Sequence, residues 1–351
     1  MSSKNWKEPC YVMINKRSEQ ITHFLLGTAI GDAFGAGVEF QDRSWIRTEV
    51  DFTTFVNARA QIQVAEDQKA LFTQNYTPWE YTDDTEMTIG LMKALCDPAP
   101  FSEDLLVNYW KSEYEQGVKQ KGYGRNGHGS MGWYYRGEQD LETIRNFQRD
   151  RANPGNAPVM RAAPLAWVEA DRINHFAEIN ANATHPNPRA IQASQCLAQA
   201  AFFMMVRKGE AKGIIPHCIQ SIPLDEAFLG YFEAIDALPA YADLTSNDFG
   251  VLCGPQPIEE PYFLPGILGV PSDAFYTVGC VLYVLKQCSD AMEALRMSVY
   301  LGGDVDSVAS LTTGIMAART GLDSLPQYML ERIEAYEYLL KVAADFAGSI
   351  I

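Results

Sequence analysis

The stretch ITHFLLGTAIGDAFGAGVEF, residues 21–40, decides the fold. Its apolar residues recur at helical spacing, and Gly27, Gly31 and Gly35 return every fourth position on one face. Each glycine costs a helix about 1 kcal/mol relative to alanine. Three on one face imply that another backbone or a ligand comes very close there. Asp32, Ala36 and Glu39 share a second side of the same helix. Two readings are open for this acidic pair. Either Asp32 bonds a neighbouring loop and Glu39 is solvated at the helix end, or the pair faces a cation.

Outward from this helix the chain stays helical. Met87, Leu91 and Leu95 repeat at fourfold spacing and predict a helix over 84–96. Further helices are expected at 102–118, 126–136, 140–149, 160–180, 187–208, 222–240, 272–287, 289–300, 304–320 and 325–347. Pro78, Pro154, Pro186, Pro271 and Pro326 fall between these segments or at their starts, where proline is tolerated. Residues 41–80 carry few regular signals and read as a long connection. Strand-like alternation is scarce, and no linker divides the chain. The expectation is one compact all-α, multi-helix domain over 19–351, preceded by a polar, irregular extension over 1–18.

At 47% hydrophobic, the 351 residues suffice for a large core. The net charge of −16, from 28 basic and 44 acidic residues, disfavours nucleic acid as a partner. The seven cysteines include no CxxC pair and predict free thiols in a reducing compartment, without zinc. The N-terminal residues lack an apolar signal core, and no stretch reads as approaching the length of a membrane helix. A cytoplasmic protein without a membrane partner is expected.

Two more segments place carboxylates at helix starts. In LGGDVDSVAS, residues 301–310, Asp304 and Asp306 follow a glycine pair. In YTDDTEMTIG, residues 81–90, Thr82, Asp83 and Asp84 open another helix. Either set alone reads as capping, because aspartate accepts from free amides at a helix start. Yet adjacent carboxylates repel each other, and one cap residue suffices. Glu39, Asp83, Asp84, Asp304 and Asp306, with the hydroxyls of Thr82 and Ser307, form an all-oxygen donor set. Such donors suit magnesium or manganese, and two divalent cations would nearly balance five carboxylates.

The segments GDAFGAGVEF, YTDDTEMTIGL and GGDVDSVASLTTGI resemble motifs of the ADP-ribosylglycohydrolase family, which includes the dinitrogenase-reductase-activating glycohydrolase. PGNAPVMRAAPLAW, residues 154–167, is similar to the family's Gly-Asn loop and Met-Arg helix. NATHPNPRA, residues 182–190, is similar to its Thr-His loop. The motifs run in family order over roughly residues 21–320. The resemblance implies an all-α ADP-ribosylglycohydrolase-like domain with a central dinuclear magnesium or manganese site. It implies Thr82, Asp83, Asp84, Asp304, Asp306 and Ser307 as metal ligands, with serine standing where the family usually has threonine. It implies catalytic roles for Asp83, Asp84 and Glu39. It also implies a cleft lined by Glu39, Gly122, Tyr123, Gly124, Gly155, Asn156 and His185, with the diphosphate resting on the loop amides.

The implied reaction removes ADP-ribose from a modified protein side chain, by attack of a metal-activated water on the anomeric carbon through an oxocarbenium-like transition state. The partner would be an ADP-ribosylated protein or ADP-ribose. An arginine linkage is favoured. However, residues 115–131 lack the aspartate that some arginine-directed members carry and have Gly122–Tyr123–Gly124 instead. Two other readings use the same scaffold. One is a binding or immunity protein whose residues 1–18 block an ADP-ribosylating toxin or shield its target. The other is hydrolysis of a serine linkage or of acetylated ADP-ribose.

Overall fold

The computed structural model describes residues 8–58, 77–116, 131–258 and 266–350, with side chains from residue 16 onward. Gly122, Tyr123 and Gly124 lie outside these residues, as do residues 59–76 of the connection expected at 41–80. The described chain is helical and holds no sheet. The α-helices run in the order α1 (Glu8–Val38), α2 (Arg43–Glu49), α3 (Asp83–Cys96), α4 (Glu103–Gln116), α5 (Met131–Tyr135) and α6 (Leu141–Arg149). Then come α7 (Ala157–Met160), α8 (Ile173–Asn182), α9 (Pro188–Ala201), α10 (Ile214–Ser221), α11 (Glu226–Asp236) and α12 (Ser246–Cys253). The last are α13 (Ala274–Gln287), α14 (Ala291–Val299), α15 (Asp306–Thr320), α16 (Gln327–Arg332) and α17 (Tyr336–Ser349).

The glycine stripe on α1 meets a backbone, as its spacing predicts. A β-carbon on Gly35 would stand 2.5 Å from Cα of Asp306, and one on Gly31 would stand 2.6 Å from the carbonyl carbon of Ala309. One on Gly27 would lie 2.6 Å from Cβ of Ala317. Descending numbers on α1 meet ascending numbers on α15, so the two helices run antiparallel. Their contact is the most extensive in the molecule. This register sets Asp306, at the start of α15, beside Glu39, just past the end of α1.

Several expectations change. Residues 8–18 are not irregular but continue α1 without a break. Within 41–80, α2 forms at residues 43–49, with Asp42 accepting from the Ser44 amide at 2.8 Å. The segment 160–180 is not one helix. It divides into α7, a 3-10 turn at Ala163–Trp167 and α8, because Pro164 has no amide proton to continue the ladder. Helix α9 ends in a π turn at Phe202–Val206. Helices α10 and α12 were not expected, and α11 is shorter than predicted. The segment 325–347 breaks into α16 and α17 at Ala335, whose φ of 54° is left-handed. Lys16–Val38 is, contrary to expectation, long and apolar enough to cross a membrane by length and composition. Its apolar surface is covered by protein instead: 89% of that window is buried.

Candidate active site

The ends of α1 and α15 are pinned by a short backbone network. The Phe40 amide donates to the Gly303 carbonyl at 2.8 Å, and the Gly303 amide donates to the Gln41 carbonyl at 3.0 Å. On the other side, the Val270 amide donates to the Gly302 carbonyl and the Asp304 amide to the Val270 carbonyl, each at 2.8 Å. Gly302 and Gly303 have φ of +72° and +77°, and a β-carbon on Gly303 would stand 2.5 Å from the Val270 amide nitrogen. Only glycine fits both the left-handed angle and the close approach. The turn delivers Asp304 and Asp306 to Glu39, and one carboxylate oxygen from each of the three lies within 4.8 Å of the others. Asp304 and Asp306 are buried and Glu39 is half-buried.

Helix α3 brings the second acidic start to the same place. Asp84 is buried, and its Oδ1 has no hydrogen-bond partner among the described residues. Burial first, and then the charges of Asp306, Asp32 and Asp83, hold its carboxyl well above the ordinary range, while Ser307 bonds it and opposes the rise. Asp304 is likewise held well above that range, by burial and then by Asp306 and Glu39. The Asn156 amide bridges the elements. Its Nδ2 donates to Asp304 Oδ2 at 3.0 Å, to Ser307 Oγ at 3.1 Å and to Thr277 Oγ1 at 3.3 Å. His185 is buried behind Gly155, with Nε2 3.0 Å from where a β-carbon on that glycine would stand.

Asp32 resolves to the first of its two readings, with a larger part than capping alone. It is fully buried and accepts from the amides of Thr82 and Thr85 at 2.9 and 3.0 Å, and from their hydroxyls at 2.8 and 2.6 Å. It therefore caps α3 from another helix. With its proton committed to Asp32, the Thr82 hydroxyl keeps its lone pairs for a cation. Burial, with Asp306 adding to it, raises Asp32 to about 6 against the pull of the Thr85 and Thr82 hydrogen bonds. Its place on one side of α1 with Glu39 was the only sequence signal for this role. Nothing in the sequence indicated the Asn156 bridge.

The donor set fits a hard divalent cation. Thr82, Asp83, Asp84, Asp304, Asp306 and Ser307 offer oxygen alone, and Asp84 Oδ1 is a buried acceptor without a donor among the described residues. An all-helical domain that gathers carboxylates and hydroxyls from two helix starts could hold a cation of the kind that assists hydrolysis. The chain belongs to the ADP-ribosylglycohydrolase family, whose sequence profile matches residues 13–350.

It is 24% identical over 352 residues to the ADP-ribosylhydrolase ARH3 of Bos taurus, covering 89% of this chain and 88% of that protein. The ARH3 of Homo sapiens is 22% identical over 350 residues, with the same coverage. The ADP-ribosylarginine hydrolase Tri1 of Serratia proteamaculans (strain 568) is 21% identical over 343 residues, covering 95% of this chain and 81% of that one. A solved structure described as an ADP-ribosylglycohydrolase-related protein complex superposes with a TM-score of 0.62 at 20% identity. It covers 96% of this chain and 100% of its own, and shows the shared fold.

Proton uptake by this cluster has a definite sign. Asp32 titrates near 6 in the folded chain and near 4 when unfolded. Between those values the folded form holds more protons, so stability falls as pH rises. Asp84 and Asp304, also raised by burial, act with the same sign. His185 and His217, held below the ordinary histidine range by burial, act with the opposite sign as pH falls through about 6.5, and surface carboxylates held low by turn amides, such as Asp140, do so only below about pH 4. The histidines act alike with and without metal, so the cluster's share is the difference magnesium makes: from pH 7 to 5 the melting temperature is expected to gain more, or lose less, in chelator than in saturating magnesium. The same pH dependence in both conditions would contradict the assignment.

Proposed function

We propose that this chain hydrolyses the bond joining ADP-ribose to a modified protein side chain, with arginine the favoured acceptor. The observation that carries the reading is the cluster of Glu39, Asp304 and Asp306, with Asp84 close enough to feel the charge of Asp306 and with one buried oxygen of Asp84 left without a donor among the described residues. Magnesium or manganese, as a pair, would be held by Thr82, Asp83, Asp84, Asp304, Asp306 and Ser307. Bound there, the cations would supply Lewis acidity toward water and the ribose hydroxyls.

The chain's own residues do the remainder. Asp32 fixes the Thr82 hydroxyl, and Asn156 fixes Asp304 and Ser307, so the oxygens are placed before substrate arrives. Asp83 and Asp84, adjacent at the start of α3, are the candidates to accept the proton of the attacking water. The clustered negative charge, with Glu39 at its edge, favours the positive charge that develops on the ribose ring. Gly155, Asn156 and His185 border the same site and fit the role of cleft wall. The Serratia relative, an ADP-ribosylarginine hydrolase, supports the arginine linkage. The described cysteines are free thiols, in keeping with a reducing, cytoplasmic setting.

The test is release of free ADP-ribose from an arginine-ADP-ribosylated protein, with magnesium and then with chelator. Release that stops in chelator is the expected result. No release by protein with confirmed metal binding would overturn the arginine assignment and direct the search to serine-linked and acetylated ADP-ribose.

A further inference from the structure

Behind the Gly155–Asn156 turn lies a chain of polar contacts that the reaction above does not use. Arg161 is fully buried. Its Nε donates to Asn180 Oδ1 at 2.8 Å, and its guanidinium carbon lies 3.9 Å from the Trp110 ring centre. One terminal nitrogen donates to the Asn180 carbonyl at 3.1 Å and to Thr184 Oγ1 at 2.7 Å. Thr184, also fully buried, lies 2.8 Å from His185 Nδ1 through the same oxygen.

The direction of each hydrogen bond follows from chemistry. A guanidinium only donates, so Thr184 Oγ1 accepts from Arg161. The Thr184 hydroxyl then carries one proton, and His185 Nδ1 is its only acceptor within reach among the described residues. Were Nδ1 protonated instead, the hydroxyl proton would be buried without a partner, which folded proteins avoid. Nδ1 is therefore the acceptor, and a neutral ring must carry its proton on Nε2. Burial, and then the charges of Arg161 and Arg151, hold His185 well below the ordinary histidine range, which keeps the ring neutral.

We propose that Arg161 and Thr184 are positioning residues that lock His185 as the Nε2–H tautomer, presenting a fixed neutral donor beside Gly155 to an oxygen of the bound substrate. This rests on the reading of the cleft as an ADP-ribose site. The absence of a side chain on Gly155 leaves Nε2 room to act.

Protein labelled with 15N-histidine reports the tautomer directly, and the His185→Gln spectrum assigns the signals. Wild type and Thr184→Ser are expected to show an unprotonated Nδ1 and a protonated Nε2. Thr184→Val should lose that pattern and bind ADP-ribose about tenfold more weakly by calorimetry, the scale of one lost hydrogen bond. A protonated Nδ1 in the wild type, or a Thr184→Val variant with the wild-type pattern and affinity, overturns the proposal. If ADP-ribose fails to bind the wild type, the functional reading falls, and the nitrogen pattern still decides the tautomer. If the valine variant does not fold, the wild-type and serine spectra decide it.

Discussion

Replacing Asp304 with asparagine is expected to lower ADP-ribose release by at least about a hundredfold while raising the melting temperature of the metal-free protein. The two effects have one cause. Asp304 is buried against Asp306 and Glu39, whose charges oppose its ionisation. Without a cation these carboxylates repel one another in a low-dielectric setting, and removing one charge relieves the repulsion. Asparagine keeps the side-chain oxygen that accepts from Asn156 Nδ2, so the local structure survives. Metal affinity and the field at the ribose are lost together, and disturbing even a residue that only supports a metal ligand typically costs 10- to 100-fold. Functional sites often trade stability for activity in this way. The check is paired: release assays with magnesium, and melting curves in chelator. Unchanged release would remove Asp304 from the site, and a lowered melting temperature would show that its charge is satisfied by the protein alone.

Gly31→Ala is expected to be the most damaging small substitution. Helix propensity alone would favour it by about 1 kcal/mol. The added carbon would stand 2.6 Å from the Ala309 carbonyl carbon and 2.9 Å from the Ser310 amide nitrogen. These are backbone atoms of α15 and cannot rotate aside. Either the helices separate along their whole seam or the carbonyl tilts out of its helix. Overpacking of this kind costs about 1–3 kcal/mol net. Because the seam also positions Asp306, activity should fall with stability. Gly230→Ala, where a β-carbon would meet nothing within 4 Å, serves as the control and should be neutral or mildly stabilising. A Gly31→Ala protein with an unchanged urea midpoint would show that the two helices are not packed this closely.

The central helices and the acidic helix starts were legible because each is written in a short window. Glycines four apart on α1 announce a close approach, and a threonine with paired aspartates announces the start of α3. Helix α12 carried a readable signal too, a capping box of Thr245 with Asp248. The break before α17 did not, because Ala335 takes a left-handed angle with no glycine to mark it. Asp32 shows the other limit. Its two readings differ only in what stands across from it, and that is Thr82 and Thr85, about 50 residues away. The Asn156 bridge to Asp304 and Ser307 is of the same kind. A carboxylate's type can be read locally, but its partner is chosen by packing.

The seam between α1 and α15 also sets an order of events during synthesis. Gly35 and Asp306 are separated by roughly 270 residues, which a ribosome takes on the order of a quarter of a minute to a minute to add. Throughout that interval a helix long and apolar enough to be mistaken for a membrane span has been made while the helix that covers it has not. The nascent chain carries that face uncovered until the stretch from residue 306 onward emerges, and a site that needs Asp304 and Asp306 can assemble only when translation is nearly complete.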